Sequence, residues 1–339
     1  MLEERFELSG TKERNLAMEL VRVTEAAALR AGRWMGKGEK EMADQAAVDA
    51  MRQALDGVDM DGIVVIGEGE KDEAPMLYIG EQVGNGQPPE VDVAVDPVEG
   101  TRLLSLGLPG ALAVVATAER GSMYGAPPGV FYMEKIAVGP AARNVVDINS
   151  PIAINLERVA RARDAQIEDL SVVILDRPRH QELIRQVREA GARIRLIMDG
   201  DVSAAIQAAM EDYRGVDVLV GIGGATEAVL AAAAIKCIGG EIQCKIWPRD
   251  DKEREQLKAD GVDLEQVLHT EDLVRGNDVS FAATGITSGE LVDGVQYFGW
   301  GARTSSVMMR SRSGTIRYIQ ARHKWRKGRG LLKAAEILL

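Results

Sequence analysis

Between residues 172 and 238 the chain changes its hydrophobic period again and again. Short β-branched runs at VVILD (172–176), RIRLIMD (193–199) and VDVLVG (216–221) alternate with helical spacing over 180–190, 201–212 and 226–238. A chain written this way buries strands under crossover helices, which is the rhythm of an α/β layer structure. Before Pro151 the order differs. Helical spacing over 12–34 and 43–55 precedes strands predicted at 62–67, 91–95, 111–118 and 134–139, with Gly/Pro-rich turns between them, an α+β arrangement. The change of rhythm places a domain boundary near 150–165. Further strands are predicted in DVSFAATGIT (278–287) and SSVMMRSRSGTIRYIQ (305–320). No tandem repeat or low-complexity segment interrupts the pattern.

Composition narrows the class of function. No stretch reaches the roughly 18 consecutive apolar residues that a membrane helix needs, and the first residues, MLEERFE, are charged. A cytoplasmic enzyme is the expectation. The net charge of −11 argues against a general nucleic-acid binder. It is uneven, because residues 294–335 hold ten Lys/Arg and no Asp or Glu. A solvated or inter-subunit face that neutralises acidic neighbours accounts for that run more simply than RNA binding. Cys237 and Cys244 allow at most one bridge and form no zinc pattern with histidine, so both are expected to be reduced and semi-buried.

The chemistry concentrates where apolar runs stop. GIVVIG is followed by Glu68, Glu70 and Asp72, spaced two apart so that an extended backbone would set all three on one face. VDVAV ends at Asp96-Pro97, where the alternation is expected to turn, with Glu99, Gly100 and Thr101 just beyond. In GIGGATE, Glu227 opens a helix after a glycine loop, and Asp44 stands near the start of the second helix. Any one of these could be a solvated turn. Carboxylates brought together at one sheet edge repel unless cations share them, and an all-oxygen donor set suits two or more Mg²⁺ or Mn²⁺ ions rather than Zn²⁺. Such a cluster suits phosphoryl chemistry, with Thr101 orienting a water and Glu70 or Asp72 accepting its proton.

DPVEGT (96–101) downstream of GEGE (67–70) resembles the signature of the lithium-sensitive, metal-dependent sugar and inositol phosphatases. The fuller similarity is to the class II fructose-1,6-bisphosphatases, including the cyanobacterial type that also hydrolyses sedoheptulose 1,7-bisphosphate. It rests on VTEAAAL, WMGKGEK, IGEGEKDEAPMLYIGE, DPVEGT, YMEK, RPRH, DGDVSAAI, GIGGATE and ATGIT, in that order, from about residue 20 to 323.

The resemblance implies a layered α/β/α/β/α fold, with an N-terminal metal-binding α+β domain (1–155) and a C-terminal sugar-phosphate-binding α/β domain (156–339). It implies hydrolysis of the 1-phosphate of fructose 1,6-bisphosphate, or of both bisphosphates, by a homodimer or homotetramer. By position, Asp44 and Glu68 would hold one metal, and Asp96, Glu99 and Glu227 another. Glu99, Gly100 and Thr101 would border the departing phosphate. Tyr132, Arg177, Pro178, Arg179, Asp199, Gly200, Asp201 and Gly224 would hold the sugar and its second phosphate. Asp44 could instead pair with Thr101 to activate water. Thr226 and Ala228 stand where the family usually has Pro and Gly around the last glutamate, which puts metal affinity there in question. The segment between Gly240 and Asp278 matches the family poorly and leaves room for regulation or subunit contacts.

Two other classes compete. Gly221-x-Gly223, after a strand and before a helix, outlines a dinucleotide loop of an oxidoreductase, but Thr226 replaces the third glycine. GRWMGKG has the outline of a kinase phosphate loop, but its glycines are one residue too close and no Ser/Thr follows Lys37. A non-catalytic metal-binding scaffold would need the acids but not Thr101, Arg177 or Arg179. His180 could lie near the sugar phosphate or simply start a helix.

Overall fold

The computed structural model describes residues 13–69, 76–210 and 215–325. The helices α1 (Glu13–Ala31) and α2 (Lys40–Leu55) come first, and their apolar stripes, including Leu20, Val23 and Ala27 on one and Ala43, Ala47 and Met51 on the other, are fully buried. Then follow β1 (Asp61–Ile66), β2 (Gln82–Val83), β3 (Glu90–Glu99), α3 (Thr101–Leu106), β4 (Leu112–Glu119), β5 (Tyr132–Val138) and α4 (Ile152–Ala162). The α/β rhythm continues with β6 (Ser171–Leu175), α5 (Gln181–Glu189), β7 (Arg193–Ile197), α6 (Asp201–Ala209), β8 (Val218–Gly224), α7 (Ala225–Ile238) and β9 (Glu241–Ile246). The remainder is α8 (Asp251–Ala259), β10 (Leu268–His269), α9 (Thr270–Leu273), β11 (Ser280–Gly285), β12 (Gln296–Phe298), β13 (Gly301–Arg310) and β14 (Thr315–Lys324).

These strands form two sheets. The first runs β12-β13-β11-β4-β3-β1-β2, with β14 paired to β13; the second runs β10-β9-β5-β8-β6-β7. Sheet membership does not follow a cut at 155. β5 precedes that point and joins the second sheet, while β11 to β14 return to the first. The cause lies in β4, which is buried on both faces. Leu112, Val114 and Ala116 point into one core and Ala113 and Val115 into another. A strand buried on both faces needs neighbours along both edges. β3 supplies one, and β11 the other, in a register from Ser280 opposite Thr117 to Gly285 opposite Leu112.

Three cores hold five layers together, the largest of them lining both faces of the central helices. α1 and α2 cover the outer face of the first sheet, α6 and α7 fill the space between the sheets, and α4 and α5 cover the outer face of the second. The expected α/β/α/β/α order is the one observed. α7 is apolar almost all round, with Ala228 and Ala231 to Ala234 buried, as a helix between two sheets must be.

Strand direction sets up the site. β1 is parallel to β3, and β6 is parallel to both β7 and β8. β5 is antiparallel to both β8 and β9, so β9 runs the same way as β8. In a sheet of this kind the carboxyl ends of the parallel strands border the ligand crevice.

Cys237 and Cys244 are both free and fully buried, and burial pushes each thiol up to about 12. The described part of the basic run forms β12 and the β13–β14 hairpin beside it, where Trp300 stacks on Phe298 at 5.0 Å and lies under the Arg322 guanidinium. None of the described helices is long and apolar enough to cross a membrane.

Candidate active site

DPVEGT is not a turn after a strand. β3 continues through Asp96 to Glu99, and its pairing with β4 shifts there, from Asp96 opposite Val114 to Glu99 opposite Leu112. Three steps on β3 therefore match two on β4, which is a bulge. In a regular strand, side chains three apart face opposite sides of the sheet. The extra residue restores parity, so Asp96 and Glu99 turn to the same side. Asp96 Oδ1 also accepts the Val98 N–H at 3.0 Å, which fixes the bend. Gly100 then takes the left-handed conformation (φ +85°) that lets α3 start at once. That start places Thr101 against α2. Its hydroxyl donates to Asp44 Oδ1 at 3.0 Å and lies 3.1 Å from the Val98 carbonyl, so the Asp44–Thr101 pairing is present.

The third acidic segment also differs from its expected form. Residues 221–224 are not a loop but the end of β8, paired with β5 from Lys135 opposite Gly221 to Tyr132 opposite Gly224. No dinucleotide-type loop exists at this position. The glycines instead make room for charge. A Cβ on residue 223 would overlap the Asp201 carboxylate, and one on residue 224 would overlap that of Glu227. Asp201 fills its space as a buried ion pair with Lys135 at 2.7 Å. Glu227, in the first turn of α7, accepts a hydrogen bond from the Thr226 hydroxyl at 2.7 Å. The residue that departs from the family pattern thus orients the glutamate beside it.

The two sheets meet at these carboxylates. Oxygens of Asp96, Glu99 and Glu227 all lie within 4.8 Å of one another. Glu99, 4% exposed, also accepts the Val202 N–H in the first turn of α6 at 3.1 Å, which ties β3 to the second half of the fold. Burial, then the charge of Glu227 and that of Glu68, pushes the Asp96 carboxyl well up, and burial with the charge of Asp96 does the same to Glu99. Desolvation and then Asp44 raise Glu68 to about 7, and Asp44 itself is raised by burial. Three crowded carboxylates without histidine or cysteine fit a hard divalent cation, which would relieve their repulsion. Asp44 and Glu68 stand outside that triplet but are coupled to it through the charge of Glu68 on Asp96. Glu70 and Asp72 lie outside the described residues.

A cavity of about 330 Å³ opens beside the triplet, lined by Tyr132, Arg177, Arg179, Asp199, Asp201, Gly224 and Glu227, among others. Arg177 reaches to 4.0 Å from Asp199, while Arg179 lies over the Tyr132 ring and donates to the Ile222 carbonyl at 2.8 Å. The buried Arg179 Nε has no hydrogen-bond partner among the described residues. Pro178 begins an exposed turn and does not line this cavity, and Gly200 lines the adjoining one. His180 is structural: it is 1% exposed, its Nδ1 lies 2.6 Å from the Leu175 carbonyl, and its Nε2 accepts the Ile222 N–H at 2.7 Å. Those partners require the neutral tautomer with the proton on Nδ1, and burial lowers its pKa accordingly.

The sequence reading missed Lys135, Phe131 and Arg249. Lys135 sits inside the motif YMEK, and its signal was a lysine at an otherwise buried strand position. Arg249 follows β9 in the segment between Gly240 and Asp278, where regulation or subunit contacts were expected, and that segment supplies a wall of the cavity.

The model of the family described as bacterial fructose-1,6-bisphosphatase, glpX-encoded, matches residues 14–323. A relative in Synechococcus sp. (strain JA-3-3Ab), D-fructose 1,6-bisphosphatase class 2/sedoheptulose 1,7-bisphosphatase, is 44% identical over 333 residues, 91% of this chain and 95% of its own. Another of that name in Synechococcus sp. (strain JA-2-3B'a(2-13)) is 45% identical over the same shares. Fructose-1,6-bisphosphatase 1 class 2 of Escherichia coli (strain K12) is 46% identical over 323 residues, again 91% of this chain and 95% of that one. With the five-layer fold and the carboxylates of DPVEG and GIGGATE converging on one point, this chain belongs to the glpX-encoded class II family of bacterial fructose-1,6-bisphosphatases.

Proposed function

We propose that the chain hydrolyses the 1-phosphate of fructose 1,6-bisphosphate, giving fructose 6-phosphate and inorganic phosphate with the help of Mg²⁺ or Mn²⁺. The polarity of one cleft carries this reading. At one end three carboxylates converge, and at the other arginines face the cavity, Arg179 without a close carboxylate partner among the described residues. A small sugar with a phosphate at each end matches that polarity.

In this reading Asp96, Glu99 and Glu227 hold one cation, and Asp44 and Glu68 help to hold another. Bound cations polarise the ester and lower the pKa of an attacking water. Thr101, its proton shared between Asp44 and the Val98 carbonyl, orients that water and borders the departing phosphate with Glu99 and Gly100. Arg177, Arg179 and Tyr132 hold the distal phosphate. Asp199 and the Asp201 oxygen not engaged by Lys135 accept from sugar hydroxyls. A seven-carbon bisphosphate, the second substrate named for the Synechococcus relatives, satisfies the same polarity and is the second reading. The reading includes a cytoplasmic homo-oligomer, dimer or tetramer, in which the basic β13–β14 face meets acidic neighbours.

Phosphate release from fructose 1,6-bisphosphate in EDTA, in Mg²⁺ and in Mn²⁺ tests the proposal. Release is expected with metal only, and to fall on the order of 10²- to 10³-fold in Asp96→Asn. A folded protein that releases no phosphate with either metal sinks the activity. Undiminished release by Asp96→Asn keeps the activity and moves the site.

A further inference from the structure

We propose that Arg249 is a specificity-determining residue of this site, a third guanidinium that grips the phosphate distal to the scissile bond, with Phe131 as its prop. The inference rests on the bisphosphatase reading above and adds a residue to it.

Arg249 reaches the cleft because of strand direction. β9 runs with β8, so the segment after Ile246 emerges at the same edge as Gly224 and Glu227. Two backbone hydrogen bonds then lock the local geometry: Trp247 N–H donates to the Tyr132 carbonyl at 2.9 Å, and Ala225 N–H donates to the Phe131 carbonyl at 3.0 Å. Phe131 and Tyr132 are thereby clamped between the end of β9 and the start of α7. Each ring carries an arginine, Arg179 over Tyr132 at 5.0 Å and Arg249 over Phe131 at 4.1 Å.

Phe131 is 53% exposed, so its ring face is open to the Arg249 guanidinium. A planar cation on a ring face keeps its edge nitrogens directed outward. Glu253 engages Arg249 through Nε at 3.1 Å. Neither terminal nitrogen of Arg249 has a hydrogen-bond acceptor among the described residues, and the side chain lines the same cavity as Arg177 and Arg179. The fork left open is the one that binds a phosphate bidentately.

Fructose 6-phosphate carries the distal phosphate alone, so its binding in EDTA reads the arginine end without the cations. By calorimetry, Arg249→Met is expected to weaken fructose 6-phosphate about tenfold, and Arg249→Lys by less, because charge is kept while the fork is lost. In turnover with metal, Arg249→Met raises KM for fructose 1,6-bisphosphate by a similar factor, leaves kcat within about twofold, and leaves kcat/KM for fructose 1-phosphate unchanged. Asp96→Asn should bind fructose 6-phosphate as the wild type does. Wild-type affinity in Arg249→Met, equal losses on both turnover substrates, or a wild type that does not bind fructose 6-phosphate overturns the assignment. A chain that binds fructose 6-phosphate through Arg249 yet releases no phosphate from the bisphosphate overturns the bisphosphatase reading instead.

Discussion

The two ends of the cleft are built by opposite means. At the acidic end, like charges from two distant segments, the end of β3 and the start of α7, are forced within 4.8 Å of one another by a bulge, a helix start and a tight sheet edge. At the basic end, Arg177 and Arg249 are partly exposed side chains on turns, and Arg179 and Arg249 rest on aromatic faces. The difference follows from the partners each end must accept. A small cation binds strongly only to oxygens held close against their own repulsion, so that end is set in the core of the fold. A bulky phosphate dianion must enter and leave, so guanidiniums at the rim suffice.

Lys135 is where the ends touch, and its loss should do the most damage. Burial pulls its ammonium down, but the charges of Asp201 and Glu227 outweigh that and raise it overall. Lys135→Met leaves Asp201 buried and unpaired, which is expected to cost about 3–5 kcal/mol in urea denaturation. Lys135→Met/Asp201→Leu should regain most of it. A single variant within about 1 kcal/mol of wild type would show that this pair is not what holds the two ends together.

pH separates the ends next. Glu68, raised to about 7, keeps its proton in the folded chain where the unfolded chain has lost it. Its contribution to stability is complete below about 4.5 and lost as pH rises through about 7. Asp44, Asp96 and Glu99 shift the same way. In EDTA the protein should therefore melt lower at about pH 8 than at about pH 5.5, and millimolar Mg²⁺ or Mn²⁺ should remove most of the difference. Equal melting temperatures in EDTA would mean that the acidic end stores no repulsion.

Thr226→Val gives the smallest effect. Removing the hydroxyl beside Glu227 should raise the metal concentration for half-maximal activity about three- to tenfold and leave fructose 6-phosphate binding alone. A change in sugar binding without one in metal demand would place Thr226 with the other end.

Much of this was legible in the chain. The strand-and-helix rhythm marked an α/β chain, the family resemblance implied the order of its layers, and Asp96, Glu99 and Glu227 stand out because carboxylates end apolar runs. The exact form of those endings was not legible. Pro97 and the glycines of GIGG read as breakers, yet β3 and β8 run through them, because neighbouring strands hold the backbone and the glycines house carboxylates. Arg249 and Lys135 were missed for a related reason. Neither has a local pattern that distinguishes it, and their meaning comes from Phe131, Asp201 and Glu253.

The sequence by itself determined the alternation of strands and helices, the kinds of ligand and the reaction class they suit, since periodicity and side-chain chemistry are local properties. Tertiary structure decided which sheet each strand joins, on which side of β3 its acids face and which arginines share the cleft. Those outcomes depend on pairing between residues far apart in the chain: β4 needed β11 along its free edge, and β9 had to run with β8 for Arg249 to arrive at the site.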